Sequence, residues 1–194
     1  VNGIARPTVP LLVSPNDGAA GLSTAPTLDW GDVTGAADYE VWICEDSGCT
    51  DIARTAAVTG SSWTVTPALD KGSGYWWQVI ARNPCGAATS KPWRFETACP
   101  EPDAPAIYDP GDAVTSGKEF MVTWDPVVGA SGYILDEDTD PRFPNPTTYS
   151  TKKTSQIFDH NNGTCEPETY YYRVRAVDIC GNSNASATVD MAIA

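Results

Sequence analysis

The segment YWWQVIARNPCG, Tyr75–Gly86, is rich in aromatic and β-branched residues and ends in a cysteine and a glycine. Successive side chains of a strand point to opposite faces, so Tyr75, Trp77, Val79 and Ala81 share one side of an extended chain. This pattern is typical of a β-strand with one face in a core and a turn at its end.

The segment has an echo, because YYYRVRAVDICG, Tyr170–Gly181, repeats its pattern 95 residues later. Upstream, Trp30–Cys49 aligns with Trp124–Phe143 at a shift of 94 residues, and Trp, Val, Gly, Ala and Tyr match in this alignment. These blocks cover nearly the whole chain and indicate an internal repeat. The proline-rich stretch Cys99–Pro105 is a short, stiff linker between the two copies.

The linker predicts two domains, residues 1–99 and 100–194, and the composition predicts that both are all-β. Hydrophobic residues make up 41% of the chain, and 16 Pro and 16 Gly suit short strands joined by turns. No long run has helical spacing of its apolar residues. Strands of the first repeat are expected near Val9–Ser14, Thr27–Trp30, Tyr39–Cys44, Arg54–Val58, Ser62–Val65, Tyr75–Arg82 and Lys91–Thr97.

Several aromatic positions recur along the predicted strands. They are Trp30 and Trp124, Tyr39 and Tyr133, the pair Leu69 and Tyr75, and Tyr170. The pattern resembles the fibronectin type III domain, specifically its bacterial extracellular variety. Leu69 and Tyr75 resemble the tyrosine corner of that family, whereas Cys165 stands near the leucine position of the second repeat. The resemblance implies two tandem Ig-like sandwiches, each with strands A, B and E facing C′, C, F and G.

The net charge of −13 excludes some classes of partner. Nucleic-acid binding needs a basic face, and an anionic membrane surface would repel this chain. No apolar run reaches the ~18 residues of a membrane-spanning helix. We therefore expect no nucleic-acid partner and no membrane insertion.

Signs of catalysis are lacking, so we expect a non-enzyme without cofactors. The single histidine, His160, sits in the predicted turn FDHNNGT, and no serine or cysteine motif accompanies it as a nucleophile. The cysteines show no C-x-x-C spacing, and no glycine-rich phosphate loop is present.

The acidic run DEDTD could offer the alternating oxygens of Asp136, Asp138 and Asp140 to a calcium ion. Pro141 follows in place of the glycine and distal glutamate of an EF-hand loop. The main interpretation is therefore a solvated turn with no metal, and calcium is the weaker alternative.

Two tryptophans form the best candidate for a ligand or partner surface. Trp76 faces away from the predicted core of its strand, and so does Trp42 on the neighbouring strand C. Their counterparts in the second repeat are Tyr171 and Asp136. Exposed aromatic rings can stack on sugars or bury against a protein, and the alternative is that a loop covers them.

Six cysteines, an even number, indicate an oxidising compartment. Cys44 and Cys49 flank a short turn and are expected to bond. Cys85 and Cys99 should lie at opposite ends of strand G, beyond the ~7 Å between Cα atoms that a disulfide tolerates. Cys165 and Cys180, at opposite ends of strand F, are disfavoured for the same reason.

In a tandem array of this fold, the end of strand G meets the F–G loop of the next domain. This implies an interdomain disulfide between Cys99 and Cys180. We then expect Cys85 and Cys165 either to stay unpaired or to bond to other copies or to neighbouring domains, and a Cys165–Cys85 link between copies would build a head-to-tail filament. Asn162 and Asn184 match the N-glycosylation triplet, and their modification stays open.

These features predict a secreted or cell-surface structural module: a spacer, an appendage or matrix subunit, or an adhesion domain with a protein partner or self-association. The alternative is a carbohydrate-binding or spacer module of a larger secreted enzyme, with a glycan as ligand. Binding that depends on Trp42 and Trp76 distinguishes the two.

Overall fold

The computed structural model describes residues 5–161, 163 and 166–194. The chain divides into two compact units, Val1–Cys99 and Pro100–Ala194, called domain 1 and domain 2 below. Regular secondary structure in the described residues is entirely β-strand, which confirms the all-β prediction. Among these residues, no helix is long and apolar enough to cross a membrane.

Domain 1 is built from two sheets, and its strand pairs are antiparallel except that Ala19–Leu22 runs parallel to Trp93–Thr97. Its strands are β1 Leu12–Ser14, β2 Ala19–Leu22, β3 Thr27–Trp30, β4 Asp38–Cys44, β5 Ile52–Val58, β6 Ser62–Thr64, β7 Gly74–Asn83, β8 Gly86–Thr89 and β9 Trp93–Thr97. One sheet has the order β1-β3-β6, and the other has the order β2-β9-β7-β4-β5, with β8 also paired to β7. This is the predicted A, B, E sheet facing the C′, C, F, G sheet.

Domain 2 repeats the same plan. Its strands are β10 Ile107–Tyr108, β11 Ala113–Val114, β12 Phe120–Trp124, β13 Gly132–Asp138, β14 Thr147–Thr151, β15 Ser155–Phe158, β16 Glu168–Asp178, β17 Gly181–Asn182 and β18 Val189–Ile193. The sheet orders are β10-β12-β15 and β11-β18-β16-β13-β14, with β17 beside β16. The two tandem sandwiches that the sequence predicted are therefore confirmed.

The core of each domain lies between its sheets and centres on a tryptophan and a tyrosine. The Trp30 and Tyr39 rings meet edge-on at 5.5 Å, and those of Trp124 and Tyr133 at 5.6 Å. All four side chains are buried. Edge-to-face packing is favourable for aromatic pairs. The recurrence of this pair explains why these positions stood out in the repeat.

The tyrosine hydroxyls also tie down the loop that leads into each central strand. The Val33 amide donates to Tyr39 Oη at 2.7 Å, and the Val127 amide donates to Tyr133 Oη at 2.9 Å. Each bond satisfies a main-chain donor that regular strand pairing leaves unused.

The tyrosine corner that the sequence predicted is present in domain 1. Leu69 is buried, and the Asp70 amide donates to Tyr75 Oη at 3.3 Å. In domain 2, the Tyr170 hydroxyl donates to the Glu168 carboxylate at 2.8 Å. Cys165, the residue near the expected leucine position, lies outside the described residues.

Two strands of domain 1 were not predicted. β2 has the sequence AAGL, whose alanines and glycine give no strand signal, and it pairs in parallel with β9. β8 is the first half of a broken strand G. At the break, Ser90 Oγ accepts the Val79 amide at 3.0 Å, and Ser186 Oγ accepts Val174 at 2.9 Å in domain 2. A serine thus replaces the missing pairing in both repeats.

The loop-binding tyrosines give a paired test. We expect Tyr39→Phe to lower the free energy of unfolding by about 2 kcal/mol, because it leaves the buried Val33 amide without a hydrogen-bond acceptor. Tyr133→Phe should cost about 1 kcal/mol, because the Val127 amide is only part-buried and water can replace the bond. Urea unfolding measures both. The exposed Tyr108→Phe is the control, and equal losses in all three variants would contradict this interpretation.

Candidate functional site

The outer face of the large sheet in domain 1 carries the predicted aromatic surface. In the pairing of β4 with β7, Trp42 lies opposite Gln78 and Cys44 lies opposite Trp76. Trp42 and Trp76 are therefore diagonal neighbours on one face, and both are half-buried. Gln78 and Ile80, on the same face, are buried.

Neighbouring groups restrict this aromatic surface. The Arg94 guanidinium lies over the Trp76 ring, 5.6 Å from its centroid, and pairs with Glu96 at 2.5 Å. The Trp42 Nε1 atom is buried and makes no hydrogen bond within the described part of the chain. The surface is thus a partly covered platform whose accessible parts are ring faces and one guanidinium group.

The same face of domain 2 is ionic. Asp136, the counterpart of Trp42, is fully buried and accepts from Arg173 Nε at 2.9 Å and from Arg175 Nη2 at 2.9 and 3.1 Å. The Arg173 guanidinium also lies over the Phe143 ring at 4.2 Å. Tyr171, the counterpart of Trp76, is half-buried. Two arginines and a buried carboxylate therefore replace the apolar face of domain 1.

The weak calcium candidate uses its carboxylates in other ways. Asp136 is held by the two arginines, whereas Asp138 accepts the amides of Asp140 at 3.0 Å and Asn145 at 3.1 Å. Asp140 accepts the Arg142 amide at 2.9 Å. In the described ranges, no group of three His, Cys, Asp or Glu side chains could hold a metal ion. The run therefore ends β13, and its Asp138 and Asp140 carboxylates close the following turn by accepting main-chain amides.

The turns after β4 and β13 share one backbone conformation, but a different group holds each turn in place. Cys44 and Cys49 form a disulfide with their Cα atoms 5.0 Å apart. Cys49 has a φ of 51°, and its counterpart Phe143 has a φ of 53°, although neither is glycine. Both side chains are buried. The disulfide in domain 1 and the Phe143 ring under Arg173 in domain 2 hold the same left-handed turn.

The other cysteines lie at strand ends. Cys85 is exposed in the turn between β7 and β8. Cys99 follows β9 at the opposite end of β7, where its Sγ packs against Gly72. Cys99 and Cys180 are both in the disulfide form. Cys165 lies outside the described residues, so its predicted bond to a Cys85 of another copy stays a prediction.

A buried polar cluster in domain 2 surrounds the single histidine. The His160 ring stacks on Tyr170 at 3.9 Å with an interplanar angle of 4°. His160 Nε2 lies 2.9 Å from Tyr172 Oη and 3.3 Å from Glu137 Oε2. The ring therefore has aromatic and carboxylate neighbours, and its geometry is that of a packed core group.

Burial raises the pKa of the Glu137 carboxyl, and the His160 ring opposes that rise. Burial also raises the pKa of Tyr149 and, with the Glu168 carboxylate, that of Tyr170 to about 12. The pKa of Tyr172 is raised by burial and by Glu137. All three tyrosines thus stay neutral hydrogen-bonding groups at physiological pH.

Sequence reasoning missed the residues that form these two polar clusters. Alternation along β13 already placed Glu137 on the inward side, at the position of Ile43 in the first repeat. A charge at a position that is apolar in the sister repeat is the signal that could have revealed it. Arg175, at the position of Ile80 in the first repeat, carries the same signal on the outer face, whereas Arg173 stands at the position of the polar Gln78.

No family model and no curated protein matches the chain. Among solved structures, the chain is similar to the chicken CNTN1 FN1–FN3 domains, with 20% identity and a TM-score of 0.39. The match covers 97% of this chain and 68% of the other. The strand order of each domain, described above, is that of a fibronectin type III-like sandwich.

The ionic face of domain 2 gives a direct test. Asp136→Asn removes the charge that faces two guanidinium groups, and we expect a loss of about 2 kcal/mol in the free energy of unfolding. The loss is limited because the side chains of Arg173 and Arg175 are 30% and 31% exposed. Asp140→Asn, in the exposed turn, is the matched control with a change within about 0.5 kcal/mol. Similar losses in the two variants, measured by urea unfolding, would refute the role of Asp136.

Proposed function

We propose that this chain, two tandem sandwiches of the fibronectin type III-like fold, acts outside the cell as a non-catalytic structural and adhesive module. It serves as a stiff spacer within an appendage or matrix, with a protein or a further copy as partner. The bacterial extracellular type is the variety that its sequence resembles. The observation that carries this proposal is that Cys99, in the linker, and Cys180, in the turn after β16, are both in the disulfide form.

The route by which the chain enters domain 1 supports a bond between these two cysteines. Asn83 Nδ2, at the turn after β7, donates to the Ala5 carbonyl at 2.7 Å. Arg6 Nε donates to the Ala87 carbonyl across the same turn. The segment that precedes the first strand therefore passes directly beside the F–G turn.

The repeat extends this geometry to domain 2. Ala5 aligns with Pro100, and Asn83 aligns with Asp178. The turns themselves match, because the Cys85 amide donates to Asn83 Oδ1 at 2.8 Å and the Cys180 amide donates to Asp178 Oδ1 at 2.7 Å. Cys99 precedes Pro100, so an equivalent path would bring it to Cys180. We propose a Cys99–Cys180 disulfide on this basis.

Strand geometry argues against the alternative partner in domain 1. Cys99 packs at Gly72, just before β7, and Cys85 follows the end of β7. A strand rises ~3.3 Å per residue, so the 10 residues of β7 put the two cysteines about 30 Å apart. That separation is several times the reach of a disulfide.

A bond of this kind would give the module its mechanical role. The linker residues are few and proline-rich, and a covalent tie to the next F–G turn removes most of their remaining freedom. A chain so fixed passes tension and orientation from one domain to the next, as a spacer or filament subunit requires.

Peptide mapping of the non-reduced protein should recover Cys99 joined to Cys180. Cys99→Ser and Cys180→Ser should each broaden the range of domain orientations, seen as a larger radius of gyration in X-ray scattering. Removing the Cys44–Cys49 bridge, which lies within one domain, is the matched control and should leave the radius unchanged. A peptide joining Cys99 to Cys85, or Cys165 to Cys180, would overturn the proposal.

A glycan-binding role is the second candidate, and the half-exposed Trp42 and Trp76 favour it. Aromatic rings on a sheet face can stack on sugar rings, and Arg94 adds a donor beside them. If the surface binds glycans, Trp42→Ala and Trp76→Ala each weaken binding on a glycan array by about tenfold, the effect of ~1.4 kcal/mol. Tyr108→Ala, an exposed aromatic of domain 2, should not. Absence of any glycan signal would leave the purely structural role.

A further inference from the structure

One core position separates the two domains chemically. Ile43 of β4 is fully buried in domain 1. Its counterpart on β13 is Glu137, which is 8% exposed and lies on the same side of the strand as Tyr133 and Leu135. A carboxylate therefore stands where the sister domain has an aliphatic side chain, and burial of that charge needs compensation.

The groups that face Glu137 come from each element packed around it. Tyr149 of β14 faces its carboxylate, and the pKa of this tyrosine is raised by burial and by Glu137. β16 contributes Tyr170 and Tyr172, with Glu168 at its start, and His160 follows β15. Phe120 of β12 and Phe158 of β15 close the cluster with apolar rings stacked at 5.7 Å. Within the described part of the chain, no lysine or arginine pairs with Glu137, and the basic group nearest to its carboxylate is the His160 ring at 3.3 Å.

One carboxylate oxygen of Glu137 is buried without an aligned donor. The Glu137 Oε2 atom makes no aligned hydrogen bond to the described residues. His160 Nε2 lies 2.9 Å from Tyr172 Oη and 3.3 Å from Glu137 Oε2. A ring nitrogen carries either one proton or one lone pair, so Nε2 can serve only one of these two neighbours. When Nε2 accepts the Tyr172 proton, a proton on the Glu137 carboxyl removes the buried charge.

Water can deliver this proton. A cleft of about 190 Å³ is lined by Glu137, Asp138, Thr147 and Tyr170, among others. Domain 1 offers no equivalent proton site, because its inward residues at the matching positions are Ile43 and Trp77, both fully buried.

We propose that Glu137, packed beside His160, is a proton-binding site that stabilises domain 2 on acidification, while domain 1 does not respond through this position. Domain 2 alone would then become more stable in acidic surroundings. This inference does not depend on the linker disulfide or on glycan binding.

The direction follows from the pKa of Glu137, which burial raises above its ordinary value of 4.5. The native state then holds this proton at pH values where the unfolded chain has lost it. The stabilisation is complete below the ordinary value and disappears as the pH rises through the raised value. One proton site changes the folding equilibrium by at most about tenfold per pH unit.

Urea unfolding of the full chain at several pH values tests the proposal. Trp124 is the only tryptophan of residues 100–194, so its indole N–H resonance follows domain 2, and the other six indoles follow domain 1. We expect the Trp124 transition of the wild type to move to higher urea between pH 7.5 and pH 5. In Glu137→Gln the Trp124 transition should lie at higher urea than that of the wild type at pH 7.5. It should also lose most of its dependence on pH.

Two comparisons distinguish proton binding at Glu137 from general charge effects. Glu119→Gln removes the same charge from an exposed position and should keep the wild-type pH response. Glu137→Ile introduces the residue that domain 1 has at the matching position, Ile43, and should also lose the pH response. A Trp124 transition that does not move with pH, or that moves equally in wild type and Glu137→Gln, would overturn the proposal. If both Glu137 variants fail to fold, the wild-type series still decides, because equal shifts of Trp124 and the domain 1 indoles refute it.

Discussion

The pairing of β4 with β7, and of β13 with β16, fixes the rest of each domain. Register assigns every residue of these strands to the core or to the outer face, and a slip of one residue would exchange the two sets. Trp77 and Tyr172 occupy the same inward place and are both fully buried. The loops, the edge strands and the cysteine-bearing turns are arranged around that central pair of strands.

The shared register lets the two domains differ in chemistry while keeping one backbone. On the outer face, Trp42 and Ile80 of domain 1 correspond to Asp136 and Arg175 of domain 2. A buried ion pair seldom adds stability over an apolar contact, because desolvation offsets the attraction. The ionic face therefore points to a different requirement, such as keeping a sheet face of domain 2 from pairing with apolar surfaces.

The fold could be predicted from the sequence because its signals are local or repeated. Alternation along Tyr75–Arg82 needs only neighbours in the chain, and the Cys44–Cys49 bridge spans 5 residues. The repeat comparison could have marked the charged positions, but not their pairing, because Asp136 and Arg173 lie 37 residues apart and meet only through the strand register. β2 was missed because its short alanine–glycine sequence takes its conformation from β9.

The tyrosine that opens the long central strand has different neighbours in the two domains. In domain 1, Tyr75 Oη accepts the Asp70 amide and closes the turn before β7. In domain 2, the corresponding Tyr170 stacks on His160 and donates to Glu168. The Tyr170 ring is therefore one wall of the cluster around Glu137. Ile43 and Glu137 stand at the same inward position, so a carboxylate in place of an aliphatic side chain brings a titratable group into the core of domain 2. The ring stack beside it holds the histidine that this carboxylate contacts.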